Sequence, residues 1–437
     1  MSGWSCDWDG CNQPAVQRAG DCPLCLRHLC RSHLQHQWHK CPRPEDNWED
    51  YCAQIVATET RQMNGLYHRI DNSKLCEGAS LLRMGIPCTS NLSSKNLSSM
   101  MGGQNCHAEI TFQDNIKWLA RFRLPNISSP PLTTRDYILQ SEAATWIFLR
   151  NIQPSPCQRS TESPLDWQQA SGPQREKIMQ QLADIFLEIE KHPFGKIGSI
   201  MPDQGPSSAF KVQGLAHSAT FRPGNGGPLG PFDSCLEAAR AIIETYLSLI
   251  ANGEIAGEYP VDICLAHRFR LDILDHFGKD IVSEGGFFLK HPDDKGDHIL
   301  INKDYDIVGI IDWEWCSTVS KEDAFSSPCM MWPVTEFYDG CNELACEEVR
   351  FADILRGRGR SDLTDCIMKG RKVQRLFFAL GAAGEAQGDH KTFVNLFLGL
   401  RRAFGQKEEE WEEWKTKALE KWKDEESLHA VVHGNGS

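Results

Sequence analysis

The sequence predicts an α+β protein in which a small β-rich segment, residues 101–160, precedes a larger and mostly helical part, residues 161–405. Short runs of alternating apolar residues in the first segment are typical of strands. Longer runs with apolar residues three and four positions apart dominate the second part and are typical of helices. A cluster of cysteine and histidine in residues 1–43 predicts a separate module. We assign 44–100 to a linker and helical extension, and 406–437 to a charged helix and tail.

The composition is ordinary for a soluble protein and excludes several classes. A chain of 437 residues with 41% hydrophobic and 24% charged residues is long enough for two or three domains. The net charge of −13 argues against a nucleic-acid surface over the whole protein, and no apolar run approaches the length of about 20 residues that a membrane helix needs. The first ten residues lack the features of a secretory signal. We therefore expect an intracellular protein, cytoplasmic or nuclear, with cysteines that are buried or bind metal.

Eight potential metal ligands lie within the first 43 residues: Cys6, Cys11, Cys22, Cys25, Cys30, His33, His39 and Cys41. Thiolate and imidazole are the ligands that zinc prefers, and eight of them close two tetrahedral sites. So short a segment has little hydrophobic core, so metal binding would supply its folding energy. A disulfide-linked knot is the alternative, and the missing secretory signal disfavours it. His28 and His36 are interpreted as surface residues.

The order and spacing of these eight residues resemble those of the AN-one-type zinc finger, in which two sites interleave. The resemblance implies one zinc held by Cys6, Cys11, Cys30 and His33. It implies a second zinc held by Cys22, Cys25, His39 and Cys41. Such fingers are protein-interaction modules, often in ubiquitin or proteasome pathways, so the resemblance also implies a protein partner.

The segment from residue 44 to residue 160 predicts two helices, a loop, a strand and a third helix. The helices are expected at Trp48–Arg69 and Ser73–Arg83, followed by a Ser/Asn/Gly-rich loop over 89–105. The run 101–112 fits either a glycine turn that leads a strand over phosphates or an ordinary hairpin. The run 115–124 predicts a strand.

One face of that strand and one face of the next helix predict an ion pair. Lys117, Leu119, Arg121 and Arg123 share a strand face. The helix, Asp136–Arg150, is expected to place Ile138, Leu139, Glu142, Trp146 and Leu149 on one face. A carboxylate inside an apolar stripe needs a partner, and a cation on the strand would serve. The alternative is that Glu142 is an ordinary solvated residue.

The stretch 287–315 predicts, in order, a strand, an acidic loop, a second strand, a turn and a third strand that ends on a carboxylate. Two short apolar runs, 298–302 and 307–312, predict a hairpin, which brings the loop containing Asp293 close to Asp312. Two carboxylates that meet in this way suit phosphoryl transfer, because one can accept the proton of a hydroxyl and the other can hold magnesium. The alternative is that these acids only cap a solvated hairpin.

This stretch resembles the aminoglycoside phosphotransferase family of kinase-like enzymes, whose pattern is H-G-D-L, three residues, N-I-L-V-D, then I-D-W or I-D-F. The resemblance implies that Asp293 is the catalytic base, that His291 braces its loop and that Asp312 binds magnesium. Where the family has a magnesium-binding Asn, this chain has His298, whose imidazole suits magnesium poorly. Asp297 is the alternative oxygen donor.

The resemblance covers about residues 70–405, with a layout most similar to fungal members of the family. It implies a bilobal protein-kinase-like fold, a small β-rich lobe and a large helical lobe, with ATP and magnesium between them. It assigns Arg121 to the position of the family's nucleotide-binding Lys and Glu142 to its partner. The first hypothesis is an ATP-dependent phosphotransferase that acts on a small-molecule hydroxyl. The second is a catalytically weak kinase-like scaffold that binds proteins through the zinc finger. We predict neither a nucleic-acid nor a membrane partner, and the sequence does not identify the acceptor.

The remaining predictions concern the large part. The Gly/Pro-rich run 207–234 either lines the acceptor site or is an insertion without a role. A stripe of Trp411, Trp414, Leu419 and Trp422 either packs on the large part or binds a partner, and the tail after it is expected to fray. Helices are predicted at 264–278, 343–357, 361–369, 373–380 and 391–404, and within the stretches 172–200 and 234–253, the latter closed by Gly253.

Overall fold

The computed structural model describes residues 4–17, 20–124, 127, 129–152, 163–203, 210–216, 227–255, 259–281, 285–377 and 390–433. The chain contacts divide it into two compact units, Ser2–Pro130 and Pro131–Ser437. Both contain helices and antiparallel strands, as predicted. The finer boundaries at residues 43, 100, 160 and 405 stay predictions. Among the described residues, no helix combines the length and apolarity that crossing a membrane requires.

The smaller unit consists of the cysteine-rich segment, three helices and one antiparallel sheet of order β1-β2-β3. Its elements are α1 (Trp48–Arg69), α2 (Asn72–Leu82), β1 (Cys88–Ser90), α3 (Ser94–Ser99), β2 (Asn105–Phe112) and β3 (Lys117–Arg123). β2 and β3 form a hairpin, in register from Asn105↔Arg123 to Thr111↔Lys117. Side chains of β2 alternate between buried and half-buried, so one face of the sheet packs against the helices.

Both helices predicted before the sheet are confirmed. The Asn47 side chain begins α1 by accepting a hydrogen bond from the Asp50 amide (3.1 Å), and Asp71 caps α2 in the same way. The predicted loop over 89–105 is only partly correct, because α3 lies inside it. Ser93 caps α3 and Leu97 is fully buried, which is enough to order one and a half turns in a polar run.

The larger unit is mostly helical. Its strands are β4 (Ser163–Pro164), β5 (Ser199–Pro202), β6 (Phe210–Gln213), β7 (Phe288–Lys290), β8 (Ile299–Ile301), β9 (Ile307–Ile310) and β10 (Ser317–Val319). Its first helices are α4 (Leu132–Ile152), α5 (Gly172–Glu190), α6 (Cys235–Ala251), α7 (Pro260–Ile281), α8 (Lys321–Ala324) and α9 (Val334–Tyr338), with a 3-10 turn at Cys329–Met331. The others are α10 (Cys346–Gly357), α11 (Ser361–Met368), α12 (Arg371–Phe377), α13 (His390–Ala403), α14 (Trp411–Lys421) and α15 (Glu426–His433). The predicted helix 373–380 lies partly outside the described residues, as does the run 207–234.

The C-terminal tryptophans pack onto the large unit. Trp411 and Trp414 are buried, and both rings contact Phe397. This confirms the packing interpretation of the stripe. The expectation of a frayed tail is wrong for residues 429–433, because α15 buries Leu428 and Val431 in the same core, and the rest of the predicted tail lies outside the described residues. Two apolar side chains three residues apart hold that short helix against α6 and α7.

The predicted face of α4 is only partly correct. Ile138 and Glu142 are buried, 3% and 4% exposed, but Leu139 and Trp146 are exposed. The inward face combines small polar side chains, Ser141 and Thr145 among them, with a few apolar ones. Small residues let α4 approach β5 closely, so the larger apolar side chains on the other side stay exposed.

A buried histidine in α7 predicts acid sensitivity of the large unit. His267 is 1% exposed and stacks on Tyr246, while the Arg270 guanidinium donates to its Nδ1 (3.0 Å). Burial and the nearby guanidinium hold the pKa of His267 well below its usual 6.5. Below about pH 6.5 the histidine is therefore protonated in the unfolded chain and neutral in the folded chain. The free energy of unfolding falls as the pH drops through this range, by at most about 1.4 kcal/mol per pH unit.

We expect His267→Gln, which keeps an acceptor for Arg270, to lose less stability than the wild type between pH 7 and pH 5. Urea unfolding followed by tryptophan fluorescence measures this difference. His276→Gln, an exposed position on the same helix, is the matched control. Equal pH dependence in all three proteins would contradict the prediction.

Candidate functional site

The predicted hairpin is present. β8 and β9 pair antiparallel, with Ile299 opposite Ile310 and Leu300 opposite Gly309. The Asn302 side chain accepts hydrogen bonds from the Asp304 and Asp306 amides, both at 2.9 Å, and so closes the turn. The Ile311 amide donates to the His298 carbonyl oxygen (2.9 Å), so the pairing continues to the residue before Asp312.

Two strand pairs hold the acidic loop beside Asp312. The loop 291–298 runs from β7 to β8, and the segment 311–316 runs from β9 to β10. β8 pairs with β9 at one end of both segments, and β7 pairs with β10 at the other, with Lys290 opposite Ser317. Since both ends are paired, the loop and the segment lie side by side.

One imidazole links the loop to the segment. The His291 Nε2–H group donates to the Ile311 carbonyl oxygen (2.9 Å), and the Asp293 amide donates to His291 Nδ1 (3.1 Å). These two bonds fix the neutral tautomer with its proton on Nε2. The ring also meets Trp313 edge-on, with centroids 4.7 Å apart. His291 therefore links the Asp293 amide to the Ile311 carbonyl group, next to Asp312.

The carboxylates of the site differ in environment. Asp293 is half-buried and forms an ion pair with Lys295 (3.1 Å). Asp297 and Asp312 are exposed. The Asp312 backbone lies in the left-handed region, with φ 64°, which costs about 1 kcal/mol for a residue other than glycine. Gly296 permits the sharp bend of the loop between Asp293 and Asp297. Its φ is 106°, and a Cβ atom at this position would lie 3.0 Å from Met330 Sδ.

His298 turns inward. It is 8% exposed, its ring stacks on His291 at 4.2 Å, and it lines a cavity of about 60 Å³ together with Asp294 and Trp313. Burial and the nearby His291 lower its pKa to about 3, so the ring is neutral. Its Nδ1 has no hydrogen-bond partner within the part of the chain that the structure describes.

Helix α4 contacts the same segment. The Thr145 hydroxyl lies 3.0 Å from Cys316 Sγ, four residues after Asp312. Burial, together with the nearby Glu142 carboxylate, raises the pKa of Cys316 to about 12. Glu142 therefore lies close to the segment that carries Asp312. Arg121 lies on the exposed face of β3, in the other unit, and its pairing with Glu142 stays a prediction.

Sequence reasoning missed three residues of the loop and its support. Lys295 follows Asp293 by two positions and pairs with it. Lys290 bonds to Asp323 and fixes the base of the loop to α8. The Met330 amide donates to the Asp294 carbonyl oxygen (3.1 Å). The short run Asp-Asp-Lys-Gly-Asp was a usable signal for Lys295, whereas the partners of Lys290 and Asp294 lie more than 30 residues away in sequence.

The cysteine-rich segment brings together the two predicted ligand sets. In one, the potential ligand atoms of Cys6, Cys11, Cys30 and His33 lie within 4.8 Å of one another. The same holds for Cys22, Cys25, His39 and Cys41. His28, predicted to lie on the surface, is instead buried against Trp4 and bonds to Asp21 (2.8 Å). His36 is exposed, as predicted.

The interatomic distances in both sets fit zinc. In tetrahedral coordination, Zn–S bonds of about 2.3 Å and Zn–N bonds of about 2.0 Å place two sulfurs about 3.8 Å apart and a sulfur and a nitrogen about 3.5 Å apart. Cys11 Sγ and Cys30 Sγ are 3.9 Å apart, and Cys25 Sγ is 3.5 Å from His39 Nε2. A disulfide would require about 2.05 Å between sulfurs. Burial and neighbouring thiols raise the pKa of Cys41 to about 12, and a bound cation would favour its thiolate form.

Comparison with known proteins gives only a remote likeness. No family model matches the chain, and no curated protein matches it. An ADP-bound aminoglycoside phosphotransferase, APH(2'')-Ib, is 10% identical, with 76% of this chain and 99% of that chain covered and a TM-score of 0.41. An ethanolamine kinase of Plasmodium vivax is 13% identical, with 70% of this chain and 80% of that chain covered and a TM-score of 0.41. A macrolide 2'-phosphotransferase of Brachybacterium faecium is 13% identical, with 78% of this chain and 99% of that chain covered and a TM-score of 0.34. Values this low establish neither family nor activity.

Proposed function

We propose that the protein is an ATP-dependent phosphotransferase that acts on a small-molecule hydroxyl and carries a two-zinc protein-interaction module. The observation that carries the proposal is the His291 bridge, which ties the Asp293 loop to the segment before Asp312. A rigid bridge of this kind suits phosphoryl transfer, because that reaction depends on positioning and charge more than on covalent chemistry.

Each charged residue of the site has a separate role in the proposed reaction. Asp293 accepts the proton of the acceptor hydroxyl, and its partner Lys295 supplies positive charge where the phosphoryl group transfers. The exposed carboxylates of Asp312 and Asp297 offer the hard oxygen ligands that magnesium requires. Magnesium bound there would neutralise the phosphates of ATP. The strained backbone of Asp312 supports this role, since such strain is concentrated at functional sites.

The second metal ligand is Asp297 rather than His298. His298 is buried in the cavity behind the loop, and its imidazole is a poor ligand for magnesium. We therefore expect Asp297→Ala to weaken magnesium-dependent nucleotide binding about tenfold or more, while His298→Asn changes it little. Titration of ATP at fixed magnesium measures both. A gain on His298→Asn would instead assign the role to position 298.

We further propose that Arg121 binds the nucleotide phosphates, with Glu142 as the partner that the resemblance implies. Arginine binds phosphate well, and Glu142 is buried on α4, which contacts the Asp312 segment through Thr145. We expect Arg121→Ala to weaken ATP binding about tenfold or more and to leave the thermal transition nearly unchanged. Lys117→Ala is the matched control, because Lys117 shares the strand face but pairs with Glu109 (2.9 Å). Unchanged ATP affinity in the Arg121 variant would remove the assignment.

The alternative is a kinase-like scaffold of low activity that binds proteins through the cysteine-rich module. The burial of His298 favours it, because the position that the resemblance gives to a metal ligand is turned away from the loop surface. The two proposals differ in a single property, which is magnesium-dependent turnover of ATP.

A metabolite screen tests the proposed function. The purified protein, magnesium and ATP labelled with ¹⁸O in the γ-phosphate are incubated with a small-molecule extract, and labelled phosphate esters are detected by mass spectrometry. We expect at least one labelled alcohol phosphate that is absent when Asp293→Asn replaces the wild type. A protein that binds ATP and labels no acceptor favours the scaffold.

A further inference from the structure

The outward side of α4 carries an unusual amount of exposed apolar surface. Leu132, Leu139, Trp146 and Ile147 are exposed by 63%, 58%, 42% and 50%. Soluble monomers rarely leave large apolar side chains in one contiguous row, and such rows mark surfaces that another molecule covers. The inward side of the same helix already packs against its own unit, so this surface is a second, independent face of α4.

Seven residues define this surface, which we call the α4 outer stripe: Leu132, Asp136, Leu139, Ala143, Trp146, Ile147 and Arg150. At about 100° per residue, all seven fall within an arc of roughly 100°. An arc of this width is what a helix presents to one neighbouring helix. The stripe is apolar along its centre and bears one acid near its start and one base near its end.

The stripe is symmetric about Ala143. Asp136 lies seven residues before Ala143, and Arg150 lies seven residues after it. Leu139 and Ile147 lie four residues before and after. If two copies of α4 cross antiparallel at Ala143, each Asp136 faces Arg150 of the other copy, and each Leu139 faces Ile147. The small side chain at the crossing point lets the two helices approach closely.

We propose that the occupant of the α4 outer stripe is a second copy of this chain, in a twofold symmetric dimer centred on Ala143. Isologous contact needs a self-complementary surface, and the arrangement of acid, apolar centre and base supplies one. Within the described part of the chain, neither Asp136 nor Arg150 takes part in an ion pair, so both charges are available to the second copy. The inference is independent of the proposed catalytic function.

A single pair of helices buries less than the 1,200–2,000 Å² or so typical of stable interfaces, so we expect a weak, concentration-dependent dimer. Sedimentation equilibrium of the full chain near physiological salt measures it. Leu139→Asp puts a charge in the centre of the stripe on both copies and is expected to weaken the dimer at least about tenfold. Thr133→Asp, which is exposed on the same helix outside the stripe, is the matched control and is expected to dimerise like the wild type.

Charge exchange tests the antiparallel register itself. Asp136→Arg alone and Arg150→Asp alone each place like charges opposite one another, so each variant is expected to be monomeric. An equimolar mixture of these two variants pairs every acid with a base and is expected to restore a heterodimer. The double variant Asp136→Arg/Arg150→Asp is expected to dimerise as the wild type does.

A cross-link gives a readout that does not depend on affinity. Ala143→Cys lies on the proposed twofold axis and is expected to give a covalent dimer under mild oxidation, in excess of any formed by the wild type or by Thr133→Cys. A wild type that stays monomeric at high micromolar concentration would overturn the proposal. So would a dimer that neither Leu139→Asp nor the charge reversals affect, because its interface would then lie elsewhere.

Discussion

Asp293→Asn is expected to abolish phosphotransfer, with turnover reduced by about 10²–10⁴-fold, while ATP binding stays largely intact. The amide keeps the size of the side chain but removes the proton acceptor. The brace survives, because the Asp293 contact with His291 uses the backbone amide rather than the side chain. The loss should therefore appear in the rate at saturating ATP, and a coupled ADP-release assay measures it once an acceptor is known.

The matched control is Asp304→Asn. Asp304 is an exposed acid in the turn of the same hairpin, and its hydrogen bonds to Asn302 and Lys177 use its backbone groups rather than its carboxylate. We expect this variant to retain wild-type turnover. Equal activity in Asp293→Asn and Asp304→Asn would mean that Asp293 is not the base and that the acidic loop has another role.

The full chain is expected to bind two zinc ions, and Cys22→Ser is expected to lower the zinc content and to unfold the cysteine-rich segment. A structural zinc contributes about 10–16 kcal/mol of apparent binding energy in small domains, and an open site loses much of it. The segment offers little hydrophobic core to compensate, since the buried members of its described hydrophobic cluster are Cys6, Leu29 and Cys30, two of which are potential metal ligands. A fragment that ends near residue 45 should likewise bind two zinc ions and fold by itself.

Metal analysis of the purified chain and limited proteolysis measure the two effects. His36→Ala is the matched control, because His36 is exposed and belongs to neither ligand set. It should keep two zinc ions and full resistance to proteolysis. One zinc per wild-type chain would contradict the two-site arrangement.

The parts of the structure that local sequence determines were predictable. The eight ligands follow from residue type and spacing, and the resemblance to the AN-one-type zinc finger implied their division into the two sets that the structure brings together. The hairpin around Asn302 follows from two β-branched runs separated by a polar turn. The predicted bounds of α1 agree with the structure, in which Asn47, a strong capping residue, begins the helix.

Properties that depend on distant partners were not predictable. Periodicity located α4 but predicted its buried face only in part: Ile138 and Glu142 are buried as expected, whereas Leu139 and Trp146 point outward. The sequence left the second magnesium ligand open between Asp297 and His298, and only the cavity formed with residues of α5 and α8 shows that His298 turns inward. The buried state of α15 depends on α6 and α7, which precede it by more than 140 residues.

Magnesium-dependent ATP binding tests the central claim most directly. The account predicts that calorimetric titration of the wild type with ATP gives measurable binding that strengthens when magnesium is added. It also predicts that Asp312→Asn removes this magnesium effect, because the variant loses the carboxylate that we assign as the main metal ligand. ATP binding that is absent, or that is the same with and without magnesium in both proteins, would contradict the account.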